Sequence, residues 1–366
     1  MFGVFDKWYK RKFSDPNAMM LLMLIIVTTV ILLVWGGILM PVIVAAVIAY
    51  LLDWPVTRLH NKGLNRTLAT AITLIIFLLV SILLLVGLVP IISKQSVNLV
   101  QELPLIWDSA QKWLASLPQR YPDLIQVDYI KNTMESINER LVGIGQQVIS
   151  FSVSSIANLA ALLIYMILVP LMIFFMLKDK DLFLQSISNI LPKERRLITQ
   201  VGEEMNLQIA NYIRGKVIEI VIVGGVTSAA FAFMDLRYSL LLGVLVGFSV
   251  LIPFIGAAVV TIPVAMVALF QFGVSSEFWY IMLVYMIIQA LDGNLIVPVL
   301  FSEAVSLHPL YIIIAVLVFG GMWGLWGVFF AIPLATLVKA VMTAWSSPIQ
   351  QKATEQEVAP HEVTEQ

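Results

Sequence analysis

A single carboxylate interrupts a long apolar run near the end of this chain. Between Phe278 and Leu300 the only charged residue is Asp292, in Ile287-Ile288-Gln289-Ala290-Leu291-Asp292-Gly293-Asn294-Leu295-Ile296. A carboxylate at the depth of a hydrocarbon core costs roughly 2.5–3.5 kcal/mol on insertion scales, so by default it marks a functional site. Gln289 before it and Asn294 after it give an otherwise lipid-compatible helix one polar face, which must look inward. Such a group can bind a cation, take up a proton once desolvated, or hydrogen-bond a polar solute. An aspartate tied to backbone at a helix break is the structural alternative.

Two glycine- and proline-rich interruptions could supply backbone partners. They are Leu251-Ile252-Pro253-Phe254-Ile255-Gly256 and Gly320-Gly321-Met322-Trp323-Gly324-Leu325-Trp326-Gly327. Proline removes a donor and glycine relaxes the backbone, so carbonyls and amides can face a ligand there. Pro253, Gly256, Gly324 and Gly327 therefore join Asp292, Asn294 and Gln289 as candidate solute- or ion-binding positions. Close helix packing or a tight surface turn would equally explain the glycines. Glu303 and His308, in the short connection after Pro298, are with Pro298 the candidate gate or hinge. Glu219, one turn beyond Lys216, reads rather as its salt-bridge partner at the membrane interface.

Enzyme signatures are absent. There is no His-Glu-x-x-His, no glycine-rich phosphate loop ending in Lys-Ser or Lys-Thr, and no Gly-x-Ser-x-Gly elbow. The three histidines, His60, His308 and His361, share no helix face with another ligand, so no metal site, cofactor or catalytic residue is expected. With zero cysteines, thiolate sites and disulfides are excluded.

The elements that must hold these residues follow from composition. Hydrophobic residues make up 60% of the chain and charged residues 12%, and no charge occurs in 16–52, 67–93, 149–177 or 239–276. Each window reaches the roughly 20 apolar residues that cross a bilayer core, so the fold class is an all-α polytopic membrane protein. A net charge of -1 carries no message about nucleic acid, but the distribution of charge is informative. Lys7, Lys10, Arg11 and Lys12 precede the first span, Arg58, Lys62 and Arg66 fill the next short loop, and seven basic residues lie from Lys178 to Lys216. The positive-inside rule makes these regions cytoplasmic. The first apolar run is too long, and lacks the small-residue cleavage site, for a removable signal peptide.

The expected organisation is a cytoplasmic basic tail (1–16), membrane spans one to three (17–92) with a turn at Trp35-Gly36-Gly37, and an external amphipathic helical region (93–148). In that region Leu103, Ile106, Trp107, Ala110, Trp113, Leu114 and Leu117 share one face. Val127, Ile130, Met134, Ile137, Leu141, Ile144 and Val148 form a heptad seam, within one subunit or between subunits of a homo-oligomer. Span four (149–177) and a cytoplasmic amphipathic loop (178–216) bearing Leu197, Val201, Met205 and Ile209 lead into a core (217–345), followed by a polar tail (346–366) expected to be disordered and cytoplasmic.

The core looks duplicated. Leu-Leu-Leu-Gly-Val-Leu-Val-Gly at 240–247 resembles Ile-Ile-Ile-Ala-Val-Leu-Val-Phe at 312–319, and the run from Gly256 resembles that from Gly327. Each copy is a span followed by a broken apolar pair, and the two run in opposite directions. Inverted repeats with two broken-helix hairpins point to a transporter binding its substrate where the breaks meet.

Several of these runs carry a family likeness: Tyr212-Ile213-Arg214-Gly215-Lys216, Leu251 to Gly256, Leu291-Asp292-Gly293-Asn294-Leu295-Ile296-Val297-Pro298, Leu307-His308-Pro309-Leu310, and Phe329-Phe330-Ala331-Ile332-Pro333-Leu334. On them the sequence resembles the autoinducer-2 exporter family, and within it the PerM-like permease branch, over nearly the whole chain. The resemblance implies a bacterial inner-membrane protein of about eight membrane helical segments, with exporters of small signalling molecules and cation/proton antiporters among its relatives. Asp292 stands where many relatives have Glu, and Ser249 where some have Glu before Ile-Pro, so no relative's substrate carries over.

The expected function is secondary transport or export of a small polar solute, with a proton or a monovalent cation as the coupling ion and Asp292 as the coupling or solute-binding group. Membrane lipid and further copies of the chain are the other expected partners, and nucleic acid is not one. The alternative is a membrane scaffold that regulates a partner through residues 94–147.

Overall fold

The computed structural model describes residues 16–120, 159–190, 196–253, 255–301 and 307–342, and among them the backbone is helical with no strand. An apolar chain in lipid has little choice, because every N–H and C=O must find its partner inside the segment. In chain order the helices are α1 (Pro16–Asn61), α2 (Arg66–Arg120), α3 (Leu159–Lys178), α4 (Lys180–Ile190), α5 (Arg196–Phe233), α6 (Ser239–Ser249), α7 (Ile255–Phe272), α8 (Ser276–Leu291), α9 (Val297–Phe301), α10 (Pro309–Trp323) and α11 (Leu325–Phe329). A last apolar helix, α12, spans Ala331–Met342. Among the described residues, five stretches are long and apolar enough to cross a membrane: Met19–Asn61, Arg66–Leu105, Leu197–Phe233, Ile255–Phe272 and Ser276–Phe301. Large apolar side chains such as Leu83, Ile167, Val221 and Leu317 lie exposed on them and their neighbours, as a lipid-facing surface requires.

Two expectations about the first third are corrected. No turn occurs at Trp35-Gly36-Gly37: α1 is continuous for 46 residues. Each glycine costs a helix about 1 kcal/mol, mainly in backbone entropy, whereas opening a turn in an apolar setting would leave backbone groups unsatisfied at several kcal/mol each, so the pair is carried within the helix. Likewise the amphipathic face from Leu103 to Leu117 is not a separate helix but the end of the 55-residue α2. The heptad seam 127–148 lies outside the described residues.

The chain divides into two compact units, 1–54 with 175–214 and 301–366, and 55–174 with 215–300. In the first, the amphipathic face of α5 behaves as its four-residue spacing predicts: Leu197, Val201 and Met205 are buried with Leu21 and Ala340, and Ile209 packs beside them. Tyr50 donates to Asn206 at 2.9 Å, and Lys180 pairs with Asp53 at 2.9 Å. In the second, Val223, Phe231, Val246, Val264, Ile281 and Tyr285 lie at the centre of the core.

Each unit contains a broken-helix hairpin. In the second unit α6 enters, the helix is broken over 250–253, and α7 returns. The backbone N–H of Arg237 donates to Gln271 Oε1 at 2.7 Å, and Gln271 Nε2 donates to the Asp235 carbonyl at 2.6 Å, so the end of α7 lies beside the start of α6. At 1.5 Å per residue, Val250 sits about 18 Å along α6 from Tyr238. Small residues let α6 lie against α5: a Cβ on Gly247 would stand 2.8 Å from the Ile220 carbonyl and 2.9 Å from Gly224 Cα. In the first unit α10 descends to a turn at Gly324, whose φ of 60° and ψ of −135° suit glycine alone, and α12 returns alongside it.

Candidate functional site

Asp292 sits where α8 loses its regular winding. The segment Asp292–Ile296 is a π-helix, with the Val297 N–H donating to the Asp292 carbonyl. Pro298 supplies a cause: it cannot donate into the ladder, and its ring would strike the carbonyl of Asn294 four residues back, so one wider turn is the accommodation. Such π segments are frequent at functional sites. Asp292 is 8% exposed, and among the described residues its Oδ1 has no hydrogen-bond partner. The structural alternative, an aspartate tied to backbone, leaves that oxygen unexplained, since buried polar atoms are nearly always satisfied.

One helical face carries further polar groups at spacings of four and three: Tyr285, Gln289 and Asp292. The Tyr285 hydroxyl donates to the Ala257 carbonyl at 2.9 Å with Thr261 Oγ1 3.1 Å away, which fastens α8 to the first turn of α7. Gln289 Nε2, one turn on from Tyr285, is buried with no hydrogen-bond partner among the described residues.

The charge facing Asp292 comes from α5. Lys216 and Glu219, 4% and 1% exposed, form an ion pair at 2.8 Å. The Lys216 ammonium also donates to the Val250 carbonyl at 2.8 Å, capturing an oxygen released by the hairpin break. Lys216 attracts Asp292, while Glu219 and Asp292 repel one another. Together they are one buried cation and two buried carboxylates that act on one another electrostatically, with a formal charge of one negative.

The remaining candidates divide by the company they keep. Pro253 lies in the break of the α6/α7 hairpin, beside Val250. Gly256 has a packing duty, because a methyl there would overlap the Ser249 carbonyl oxygen, and Gly327 has the same relation to the Phe319 carbonyl. Gly324 makes its turn. Gly324 and Gly327 belong to the first unit, Asp292 and Pro253 to the second. Asn294 is exposed and donates to the Ala290 carbonyl at 2.8 Å, patching the disturbed ladder rather than facing the cluster. His308 caps α10, its Nδ1 accepting from the Leu310 N–H at 3.2 Å, and Glu303 lies outside the described residues. Lys216 and Glu219, read from sequence as an interfacial pair, are the residues that reasoning undervalued. Their one-turn spacing was visible, but the carbonyl of Val250 and the charge of Asp292 come from distant parts of the chain.

Comparison with known proteins adds a family. A model of the AI-2E family of transporters matches residues 20–347. Over 345 residues the chain is 50% identical to a protein of Escherichia coli (strain K12) called, by name alone, the permease PerM, covering 94% of this chain and 98% of that one. It is 25% identical over 303 residues to YrrI of Bacillus subtilis (strain 168), a transport protein by name, covering 82% and 84%. A similarly named Synechocystis protein is 28% identical over 310 residues, covering 82% and 76%.

Proposed function

We propose, from the premise that this chain belongs to the AI-2E family of transporters, that it is a secondary transporter of a small polar solute across the bacterial inner membrane, coupled to one positive charge at Asp292. The observation that carries the reading is the buried cluster of Lys216, Glu219 and Asp292, with one carboxylate oxygen of Asp292 unpartnered. Its formal charge of one negative leaves room for one proton or one monovalent cation, and loading either would bring the cluster to neutrality. Desolvation makes that loading favourable, since an uncompensated buried charge is expensive.

Lys216 links loading to movement. It holds Glu219 and the Val250 carbonyl at once, and Asp292 draws on the same ammonium when unloaded. Loading Asp292 removes that pull and leaves Lys216 to the hairpin tip, so the charge state of α8 is felt at the break between α6 and α7. The two broken-helix hairpins, each closed by a glycine against the carbonyl of the preceding helix, support an inverted repeat across residues 217–345.

The test is uptake of a panel of small polar solutes into proteoliposomes under an imposed pH or monovalent-cation gradient. Wild-type protein should accumulate at least one solute only with a gradient present, and Asp292→Ala, at matched incorporation, should not. Equal uptake by both would remove Asp292 from the mechanism.

A further inference from the structure

Each broken hairpin contains one carbonyl that a proline deprives of its backbone partner. At the first break the N–H groups of Leu251 and Ile252 donate three residues back, to the carbonyls of Phe248 and Ser249, at 3.1 and 3.0 Å. The next bond in that run would end on Val250, but its donor would be Pro253, which has no N–H. At the second, the N–H groups of Phe330 and Leu334 donate four residues back, to the carbonyls of Trp326 and Phe330, at 3.0 and 2.9 Å. There the bond ending on Phe329 would have to come from Pro333.

Both carbonyls are taken by side chains of α5. Lys216 donates to the Val250 carbonyl at 2.8 Å, and the Tyr212 hydroxyl donates to that of Phe329 at 2.7 Å. The tyrosine is buried, and its ring packs on Phe329 and Phe301 with centroids 5.9 and 6.0 Å away, which fixes the aim of the hydroxyl. Packing alone would be met by a phenylalanine; the hydroxyl adds the hold on Phe329. Tyr212 and Lys216 are four residues apart, on successive turns of one face of α5. The chain passes from the first unit to the second between Arg214 and Gly215, inside this unbroken helix. A regular helix shifts as a body, because sliding one turn against the next would break its own ladder of hydrogen bonds.

We propose that Tyr212 is a positioning residue, the counterpart of Lys216 for the second hairpin, and that the two side chains make α5 the common anchor through which a change of charge at Asp292 reaches both breaks. The inference rests on the reading of Asp292 under the proposed function, because the charge there acts first on Lys216.

Hydrogen exchange of the full chain in detergent micelles, read by mass spectrometry in peptides spanning 246–257 and 322–334, tests this and needs no solute. Tyr212→Phe keeps the ring and removes the donor, so exchange at 322–334 should rise about fivefold, the net worth of one neutral hydrogen bond, while 246–257 stays as in wild type. Asp292→Asn removes the pull on Lys216 and should slow exchange in both peptides. Combined with Tyr212→Phe, it should slow 246–257 alone. Slowing of both peptides in the double variant would overturn the proposal, since the change would then bypass Tyr212. Slowing confined to 246–257 with Tyr212 intact, or wild-type exchange at 322–334 in Tyr212→Phe, would overturn it too and leave the role of Asp292 standing. No change in either peptide on Asp292→Asn would refute the reading of Asp292 itself, and the proposal with it.

Discussion

Replacing Lys216 by methionine tests the energetics of the buried cluster, since it keeps the length of the side chain and removes its charge. Lys216 and Glu219 side chains are only 5% and 2% exposed, so solvent screening gives little relief. Breaking such a buried pair by removing one partner costs about 3–5 kcal/mol. Part of this, about 1.5–3 kcal/mol, is the charged hydrogen bond to the Val250 carbonyl, and the rest is the unbalanced charge of Glu219. For 366 residues an unfolding entropy of about 0.8 kcal/mol/K turns the total into a drop of about 4–6 °C in Tm. Thermal unfolding of purified protein in detergent, followed by near-ultraviolet circular dichroism, measures it. The double variant Lys216→Met/Glu219→Gln should recover about 2 kcal/mol, the ionic share, and leave the Val250 share lost. If the single substitutions add without coupling in the double-mutant cycle, the pair is not the buried unit described here.

Other consequences can be checked separately. Gly256→Ala and Gly327→Ala should each lower the yield of folded protein in fluorescence-detected size exclusion, because the methyl meets a carbonyl, while Gly36→Ala, with no atom within 4 Å of the new Cβ, should be neutral or gain up to about 1 kcal/mol of helix propensity. Tyr238, in the loop between α5 and α6, has its phenol pushed up to about 12 by burial and by its hydrogen bond to Glu102. Its folded state holds the proton more tightly than the unfolded one, so the stability it contributes is complete below about pH 10 and is lost as pH rises from there to about 12; Tyr238→Phe should flatten that alkaline limb of the Tm profile. In this cysteine-free chain, cysteines at Phe233 and Val274 should react with an impermeant thiol reagent from one side of the membrane and a cysteine at Lys62 from the other.

Much of this was legible because apolar length and isolated charge are local properties of a sequence. Asp292 announced itself by standing alone between Phe278 and Leu300, and the two broken hairpins by their glycines and prolines. Close packing was one of the readings offered for Gly256 and Gly327, but their partners were not legible: which carbonyl a glycine faces is decided by packing, and both close on the preceding helix. The continuity of α1 through Gly36-Gly37 was missed for a different reason, since glycine reads as punctuation in water and far less so in lipid. Lys216 and Glu219 read as an ordinary pair because neither Val250 nor Asp292 is near them in the chain.

The central claim, that one positive charge taken up at Asp292 drives transport, is tested most directly by comparing two fluxes of Asp292→Asn in the same proteoliposomes. The amide keeps the size and polarity of the site but cannot be loaded. Exchange of labelled for unlabelled solute across the membrane needs no net movement of the coupling ion and should persist in the variant, whereas accumulation driven by the ion gradient should vanish. Gradient-driven accumulation at the wild-type level would contradict the account and leave Asp292 as a structural residue of the π segment.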